Sequence, residues 1–155
     1  MTYTSITAEN KPPPLAVGDI EMHQRKQKKS GAYPLRCLVV DDDETVLKCV
    51  AVMLTTLGYL EVDTARKKPE LINKLATGSY DLLVTDLEMP DMNGFQLSHI
   101  IKKEVQDTKV IIMTGRHKND CLDMMETGWA DGWLFKPFGM KELRSKLIGL
   151  GLSEQ

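Results

Sequence analysis

From Leu35 to about Leu150 the sequence alternates five times between a short apolar run and a segment with helical spacing of its apolar residues. The short runs are bounded by turn residues, which is typical of strands buried on both faces of a parallel sheet. Three of the helical segments stop at a glycine, Gly58, Gly78 or Gly128. This alternation predicts an α/β domain in which helices cover both faces of a parallel sheet.

The predicted strands comprise residues 35–40, 60–65, 82–86, 110–113 and 133–135. Each is followed by a predicted helix, and the apolar positions of these helices lie within residues 46–57, 71–75, 95–105, 122–125 and 140–150. The helix within residues 122–125 carries its pattern on Leu122, Met124 and Met125. Right-handed crossovers then bring the carboxyl ends of all five strands to one edge of the sheet.

Polar residues follow four of these strands at that edge: Asp41, Asp42, Asp43, Asp86, Thr114 and Lys136. Ligands of open α/β sheets bind outside the carboxyl ends of the strands. Two carboxylates about 4 Å apart repel by roughly 4 kcal/mol at an effective dielectric constant of 20, so clustered acids need a counter-charge. Mg²⁺ is a suitable one, since it binds a few carboxylate oxygens together with water and phosphate. With the added charge of Lys136, the edge is expected to bind a phosphoryl group.

Each of these residues also has a purely structural interpretation. Asp86 could satisfy backbone donors of the turn that follows it. Asp43 could cap the first helix, with Glu44 placed favourably in the first turn. Thr114 could simply end a strand, and Lys136 could be a surface lysine in a turn. The convergence of all of them on one edge favours the functional interpretation.

Four blocks of sequence resemble the signature motifs of the response-regulator receiver domain of two-component signalling: LVVDDD at 38–43, DLEMPDMNG at 86–94, MTG at 113–115 and KPF at 136–138. The resemblance extends from Leu35 to about Leu150. It implies a doubly wound, CheY-like (flavodoxin-like) sheet of strand order 2-1-3-4-5, with its switch point between strands one and three.

The resemblance also implies the chemistry of the site. Asp86 would accept a phosphoryl group from a phosphohistidine, on a sensor histidine kinase or a phosphotransfer protein, or from a small phosphodonor. Mg²⁺, or alternatively Mn²⁺, would be held by Asp86, by Asp42 directly, by Asp41 through water and by the main-chain carbonyl of Glu88. Lys136 would contact the phosphoryl oxygens, and its bond to Pro137 would be cis.

Signalling residues are implied in the same way. Thr114 resembles the switch hydroxyl, and Trp133 holds the position of the switch aromatic residue. Glu88 and Arg116 flank the path of the attacking water and could pair to tune hydrolysis. Output would pass to a downstream protein target through the face formed by the fourth helix, the fifth strand and the fifth helix, which could also support a phosphorylation-linked dimer.

Outside the motifs, composition sets limits on the protein. Residues 1–34 contain a proline run and a basic cluster near 25–29, which predicts a flexible arm before a receiver domain at 35–155. The net charge of −2 gives no reason to expect direct nucleic-acid or membrane binding. Three scattered cysteines predict reduced thiols in the core. The first 20 residues lack the basic start and apolar block of a secretory signal, so a cytoplasmic protein is expected.

Competing hypotheses remain at this stage. Because the chain ends shortly after the last helix, a stand-alone receiver is expected, one that catalyses its own phosphorylation and slow autodephosphorylation rather than a conventional turnover reaction. A haloacid-dehalogenase-like phosphatase would need a DxDxT pattern, which Glu88 within DLEMP fits poorly. A flavodoxin-like cofactor site would need a Gly-, Ser- or Thr-rich loop where the acidic residues stand. A partner-binding pseudo-receiver would not need Asp86, Thr114 and Lys136 together.

Overall fold

The computed structural model describes residues 35–58 and 61–152, and the predicted arm at residues 1–34 lies outside the described residues. Five parallel strands, numbered β1 to β5 here, form the main sheet: Arg36–Val40, Glu61–Ala65, Leu82–Asp86, Lys109–Thr114 and Gly132–Phe135. Their order is β2-β1-β3-β4-β5, with parallel register throughout. The predicted fold class and strand order are therefore confirmed.

Five helices pack on this sheet: α1 Glu44–Thr56, α2 Lys68–Thr77, α3 Gly94–Glu104, α4 Leu122–Glu126 and α5 Met140–Gly149. Buried residues of α1 and α5 share one core cluster with Val39 and Val84, whereas those of α2 and α3 share another with Leu38 and Leu83. Successive residues of a strand point to opposite faces. Both faces are covered, which explains why these strands are continuously apolar.

The fourth helix contains the three predicted apolar positions but does not bury all of them. It has only five residues and follows a short 3-10 helix, Lys118–Cys121. Met124 and Met125 pack in part against a third cluster that contains Trp133, but Leu122 is 44% exposed. A helix of little more than one turn cannot bury all its apolar positions against one face, so Leu122 is left facing solvent.

The three cysteines are free thiols. Cys37 and Cys121 are buried as predicted, but Cys49 is exposed, so the expectation that all three belong to the core was wrong. The burial of Cys37 raises the pKa of its thiol well above the usual range. No helix among residues 35–58 and 61–152 has both the length and the apolar character needed to cross a bilayer.

Candidate phosphoacceptor site

Three carboxylates meet at the carboxyl edge of the sheet. One oxygen each of Asp41, Asp42 and Asp86 lie within 4.8 Å of one another. The cause is the pairing of β1 with β3, in which Val40 lies opposite Thr85 and the residues that follow both are acids. Asp41 and Asp86 are buried, whereas Asp42 is exposed. The structure thus brings together the three side chains that the sequence proposed as an acidic cluster.

Lys136 reaches this cluster from the end of β5. Its Nζ donates to Asp41 Oδ2 and to Asp86 Oδ1, at 3.1 Å in each case. Its main-chain N–H donates to the Thr114 carbonyl, and its bond to Pro137 is cis as predicted. Burial opposes the positive charge, but the hydrogen bonds and the two carboxylates outweigh it and raise the pKa of Lys136. The ammonium therefore stays charged and bridges two acids.

One ammonium does not neutralise the cluster. Burial and the neighbouring Asp41 raise the pKa of Asp86 from 3.8 to about 6, although Lys136 pulls it down. A group whose pKa is raised in this way is more costly to ionise in the folded protein than in water. The site is therefore suited to a further positive charge.

The donor set fits Mg²⁺, which takes hard oxygen ligands and keeps several waters. Asp41 is already occupied, because Oδ1 accepts from the Asp43 N–H and Oδ2 from Lys136. Asp42 and the second oxygen of Asp86 are the carboxylate atoms left to bind a metal directly, and Glu88 lies in the hairpin just beyond. When bound, Mg²⁺ would neutralise the acids and polarise a phosphoryl oxygen.

A short β-hairpin, with two residues in each strand, holds the loop after Asp86, and the sequence pattern did not predict it. Glu88–Met89 pairs with Met92–Asn93, and the Asn93 side chain accepts from the N–H groups of Phe95 and Gln96 to cap α3. A Cβ on Gly94 would lie 2.0 Å from the Asp86 carbonyl oxygen. Only glycine fits this close approach, which holds α3 against the end of β3.

The predicted switch and hydrolysis residues surround the cluster. Thr114 is buried, and its Oγ1 accepts from the Arg116 N–H at 3.0 Å. The Arg116 guanidinium forms an ion pair with the Glu88 carboxylate. The two charged side chains that the sequence predicted to flank the site are therefore in contact with each other.

Trp133 is 4% exposed and packs with Leu87, which follows Asp86, and with Ile112 and Cys121.

Sequence reasoning did not single out the other tryptophan, Trp129. Its ring stacks on His99, with centroids 3.9 Å apart, and on Phe95. No local pattern predicts this stack, because it joins α3 to the loop before β5.

Asp43 caps α1 as predicted, with its carboxylate accepting from the N–H groups of Thr45 and Val46.

Arg66 is a further residue at this edge that sequence reasoning missed. Its guanidinium donates to the Asp42 carbonyl at 3.4 Å and lies 3.6 Å from the Glu44 carboxylate. The available signal was the run of three cations from Arg66 to Lys68 directly after β2.

Solved structures with the same architecture include response regulators from several bacteria. The response regulator TrrA of Thermotoga maritima, solved in complex with Mg²⁺ and BeF, aligns with a TM-score of 0.66 at 33% identity over 75% of this chain and 98% of its own. The chemotaxis response regulator CheY4 of Vibrio cholerae aligns with a TM-score of 0.68 at 27% identity, over 76% of this chain and 99% of its own.

Among curated relatives, the probable transcriptional regulator ycf27 of Cyanidium caldarium is 33% identical over 79% of this chain. The two-component response regulator ARR11 of Arabidopsis thaliana is 37% identical over 76% of this chain. The chain spans 49% of the length of the first relative and 23% of the second. Residues 37–148 match the family described as the response regulator receiver domain. The chain therefore belongs to the response regulator receiver domain family of two-component signalling.

Proposed function

We propose that Asp86 is the phosphoacceptor of this receiver and that its phosphorylation depends on Mg²⁺. The observation that carries the proposal is the cluster of Asp41, Asp42 and Asp86 within 4.8 Å, bridged by Lys136. A carboxylate oxygen of Asp86 attacks phosphorus, and the donor's leaving group departs with its bonding electrons. Lys136 is positioned to neutralise the phosphoryl oxygens as charge moves to them. The physiological donor would be a phosphohistidine on a sensor histidine kinase or phosphotransfer protein.

Intact-mass spectrometry tests this proposal. After incubation with acetyl phosphate and Mg²⁺, we expect one labile phosphoryl adduct on the wild-type chain. The variant Asp86→Asn should acquire none, because an amide is not a nucleophile under these conditions. An adduct of equal yield on Asp86→Asn would contradict the assignment. A folded, Mg²⁺-loaded wild type that stays unmodified would favour a pseudo-receiver instead.

Glu88 and Arg116 form the second part of the proposal, as residues that tune hydrolysis of the acyl phosphate. Their side chains form an ion pair, and the Arg116 N–H donates to the Thr114 hydroxyl, so we expect the pair to restrict the approach of water to Asp86. Exposed pairs of this kind are worth about 0.2–1 kcal/mol, so opening the pair should shorten the phosphoryl lifetime by at most about fivefold.

The lifetime can be measured from the decay of the adduct in Glu88→Ala, Arg116→Ala and the double variant. If the pair acts as a gate, the double variant should decay no faster than either single variant, because each alone removes the contact. Lifetimes equal to wild type in both single variants would reject the gate.

Thr114 and Trp133 are proposed as the switch that carries phosphorylation to the surface. Trp133 is already buried, so we expect a tightening of its packing rather than a large ring rotation. The exposed Leu122 and the half-buried Met124 on α4 lie on the proposed output face of α4, β5 and α5 and supply apolar contact area for a target protein or a second copy.

Tryptophan emission can report this change. The chain has two tryptophans, so the variant Trp129→Phe isolates the signal of Trp133. Beryllium fluoride with Mg²⁺ should alter the emission, and the additional change Thr114→Ala should remove the response. Identical emission with and without beryllium fluoride would show that Trp133 is a core residue only.

We further propose a stand-alone receiver in the cytoplasm. Support comes from TrrA and CheY4, which this chain covers over 98% and 99% of their lengths, and from three free thiols of the kind that reducing compartments maintain. An immunoblot of fractionated cells tests both points. A soluble species near 17.4 kDa is expected, whereas a much larger species would contradict the stand-alone arrangement.

A further inference from the structure

A pocket of about 270 Å³ opens beside the acidic cluster. It is lined by Asp42, Arg66, Lys67, Pro90 and Asp91. Asp42 belongs both to this pocket and to the cluster that contains Asp86. A molecule bound in the pocket would therefore be adjacent to the phosphoacceptor. Its volume suits a group the size of a small organic acid.

Two cations, Arg66 and Lys67, and two carboxylates, Asp42 and Asp91, line this pocket. Arg66 donates a hydrogen bond to the Asp42 carbonyl and forms an ion pair with Glu44, yet its side chain remains 48% exposed. Lys67 is exposed, and its ammonium has no partner among the described residues. The opposing acid Asp91 is engaged elsewhere, since its Oδ2 accepts from the Lys68 N–H at 2.9 Å and closes the start of α2. With Asp42 bound to Mg²⁺, as proposed above, the remaining lining carries two cations and one carboxylate, so it offers net positive charge to an incoming group.

We propose that this pocket is a subsite for the acyl end of small acyl phosphates, which leaves as a carboxylate, and that Arg66 and Lys67 determine the preference for these donors. The inference rests on Asp86 being the phosphoacceptor. As the Asp86 oxygen bonds to phosphorus, the bond between phosphorus and the bridging oxygen of the acyl phosphate breaks. That oxygen keeps the electron pair and leaves as part of a carboxylate, with no proton required. A guanidinium and an ammonium nearby stabilise the negative charge as it develops.

A donor with a different leaving group should not benefit. In phosphoramidate the leaving nitrogen is already protonated, and cleavage of its bond to phosphorus releases ammonia. No negative charge develops on that group, so cations in the pocket do not stabilise its departure. Arg66 and Lys67 should therefore accelerate transfer from acyl phosphates over transfer from phosphoramidate.

The experiment compares the two donors on the same protein. Rates of adduct formation with acetyl phosphate and with phosphoramidate are measured by mass spectrometry at saturating Mg²⁺ for wild type, Arg66→Gln and Lys67→Gln. Each substitution should slow the acetyl phosphate reaction about threefold or more and leave the phosphoramidate rate unchanged or higher. The control Lys103→Gln removes the same charge at the far end of α3 and should change neither rate.

A binding measurement is independent of phosphoryl transfer. Acetylphosphonate lacks the bridging oxygen and cannot transfer its phosphorus, so its dissociation constant in the presence of Mg²⁺ reports occupancy alone. This constant should rise in Arg66→Gln and Lys67→Gln, because each variant loses a charged donor to the acyl carbonyl oxygen, but not in Lys103→Gln.

Equal losses of rate with both donors would overturn the proposed subsite. A loss common to both donors would arise from a change in metal binding or in Asp42, not from the leaving group. Unchanged acetyl phosphate rates would overturn it as well. If wild type takes phosphate from neither donor, the proposed function fails, and the acetylphosphonate constants still decide whether the pocket binds this chemistry.

Discussion

At the scale of single residues, the chemistry of the site depends on one carboxyl group that is costly to ionise. Burial and Asp41 raise the pKa of Asp86 to about 6, against the pull of Lys136. In the unfolded chain an aspartate titrates near 3.9. The folded protein therefore binds more protons than the unfolded chain between about pH 4 and 6. This contribution to stability is present below about pH 4 and is lost as pH rises through 6.

The variant Asp86→Asn should therefore be more stable than wild type in the absence of divalent metal. We expect its free energy of unfolding at pH 7.5, with EDTA, to exceed that of wild type by about 1–3 kcal/mol. The difference should become small near pH 4 and vanish below about pH 3, where Asp86 is protonated in both states. Urea unfolding across this pH range measures it.

Asp43→Asn is a suitable control, because asparagine caps a helix about as well as aspartate and Asp43 caps α1 outside the metal cluster. Its stability should follow that of wild type. A gain in Asp86→Asn that is the same at pH 4 and pH 7.5 would show that charge is not the cause.

The sequence could predict that four side chains meet, those of Asp41, Asp42, Asp86 and Lys136. Each follows or ends a parallel strand, and right-handed crossovers bring the carboxyl ends of such strands to the same edge of the sheet. The bond from Arg66 to the Asp42 carbonyl could not. It joins residues 24 positions apart through a flexible side chain, and neither periodicity nor turn chemistry determines such a contact.

At the scale of elements, the hairpin after β3 is the part that positions Asp86. Gly94 opens α3 with its backbone against the Asp86 carbonyl, where a Cβ would lie 2.0 Å away. The sequence indicated a turn at Pro90 and Asn93. It did not indicate that the helix must approach so closely, because that distance follows from the packing of α3 on the sheet.

Gly94→Ala should force the loop away from β3. We expect a loss of about 2 kcal/mol or more in the free energy of unfolding, because the clash is with backbone that cannot move aside. Adduct formation with acetyl phosphate should slow at the same time, since Asp86 loses its position.

Gly149→Ala is the matched control. Nothing lies within 4 Å of a Cβ built there, at the end of α5, so its stability and its rate of adduct formation should stay near those of wild type. Equal behaviour of the two alanine variants would contradict the role assigned to Gly94.

Two further features of the helices, the shortness of α4 and the exposure of Cys49, were not predicted from the sequence. Sequence patterns predict that a helix exists more reliably than where it ends or which side faces solvent. In α1, Cys49 follows the polar Lys48 and falls just outside the buried stripe of Leu47, Val50 and Leu54. A small thiol is compatible with either environment, so residue type alone could not decide its exposure.

At the scale of the whole molecule, the order β2-β1-β3-β4-β5 creates the site. It makes β1 and β3 neighbours, and this switch point brings acids from the ends of two strands within bonding distance of one cation. The fifth strand then delivers Lys136, and the fourth delivers Thr114. Alternating patterns could predict a parallel sheet, whereas the strand order came from resemblance of the four motifs.

The central claim, that Asp86 carries the phosphoryl group, can be tested by locating it. Borohydride reduces an acyl phosphate of aspartate to homoserine, and tandem mass spectrometry of the digested chain identifies the converted residue. After treatment with acetyl phosphate and Mg²⁺, we expect homoserine at position 86 and conversion that disappears when EDTA replaces Mg²⁺. Conversion at another aspartate, or no conversion of the folded, Mg²⁺-loaded chain, would contradict it.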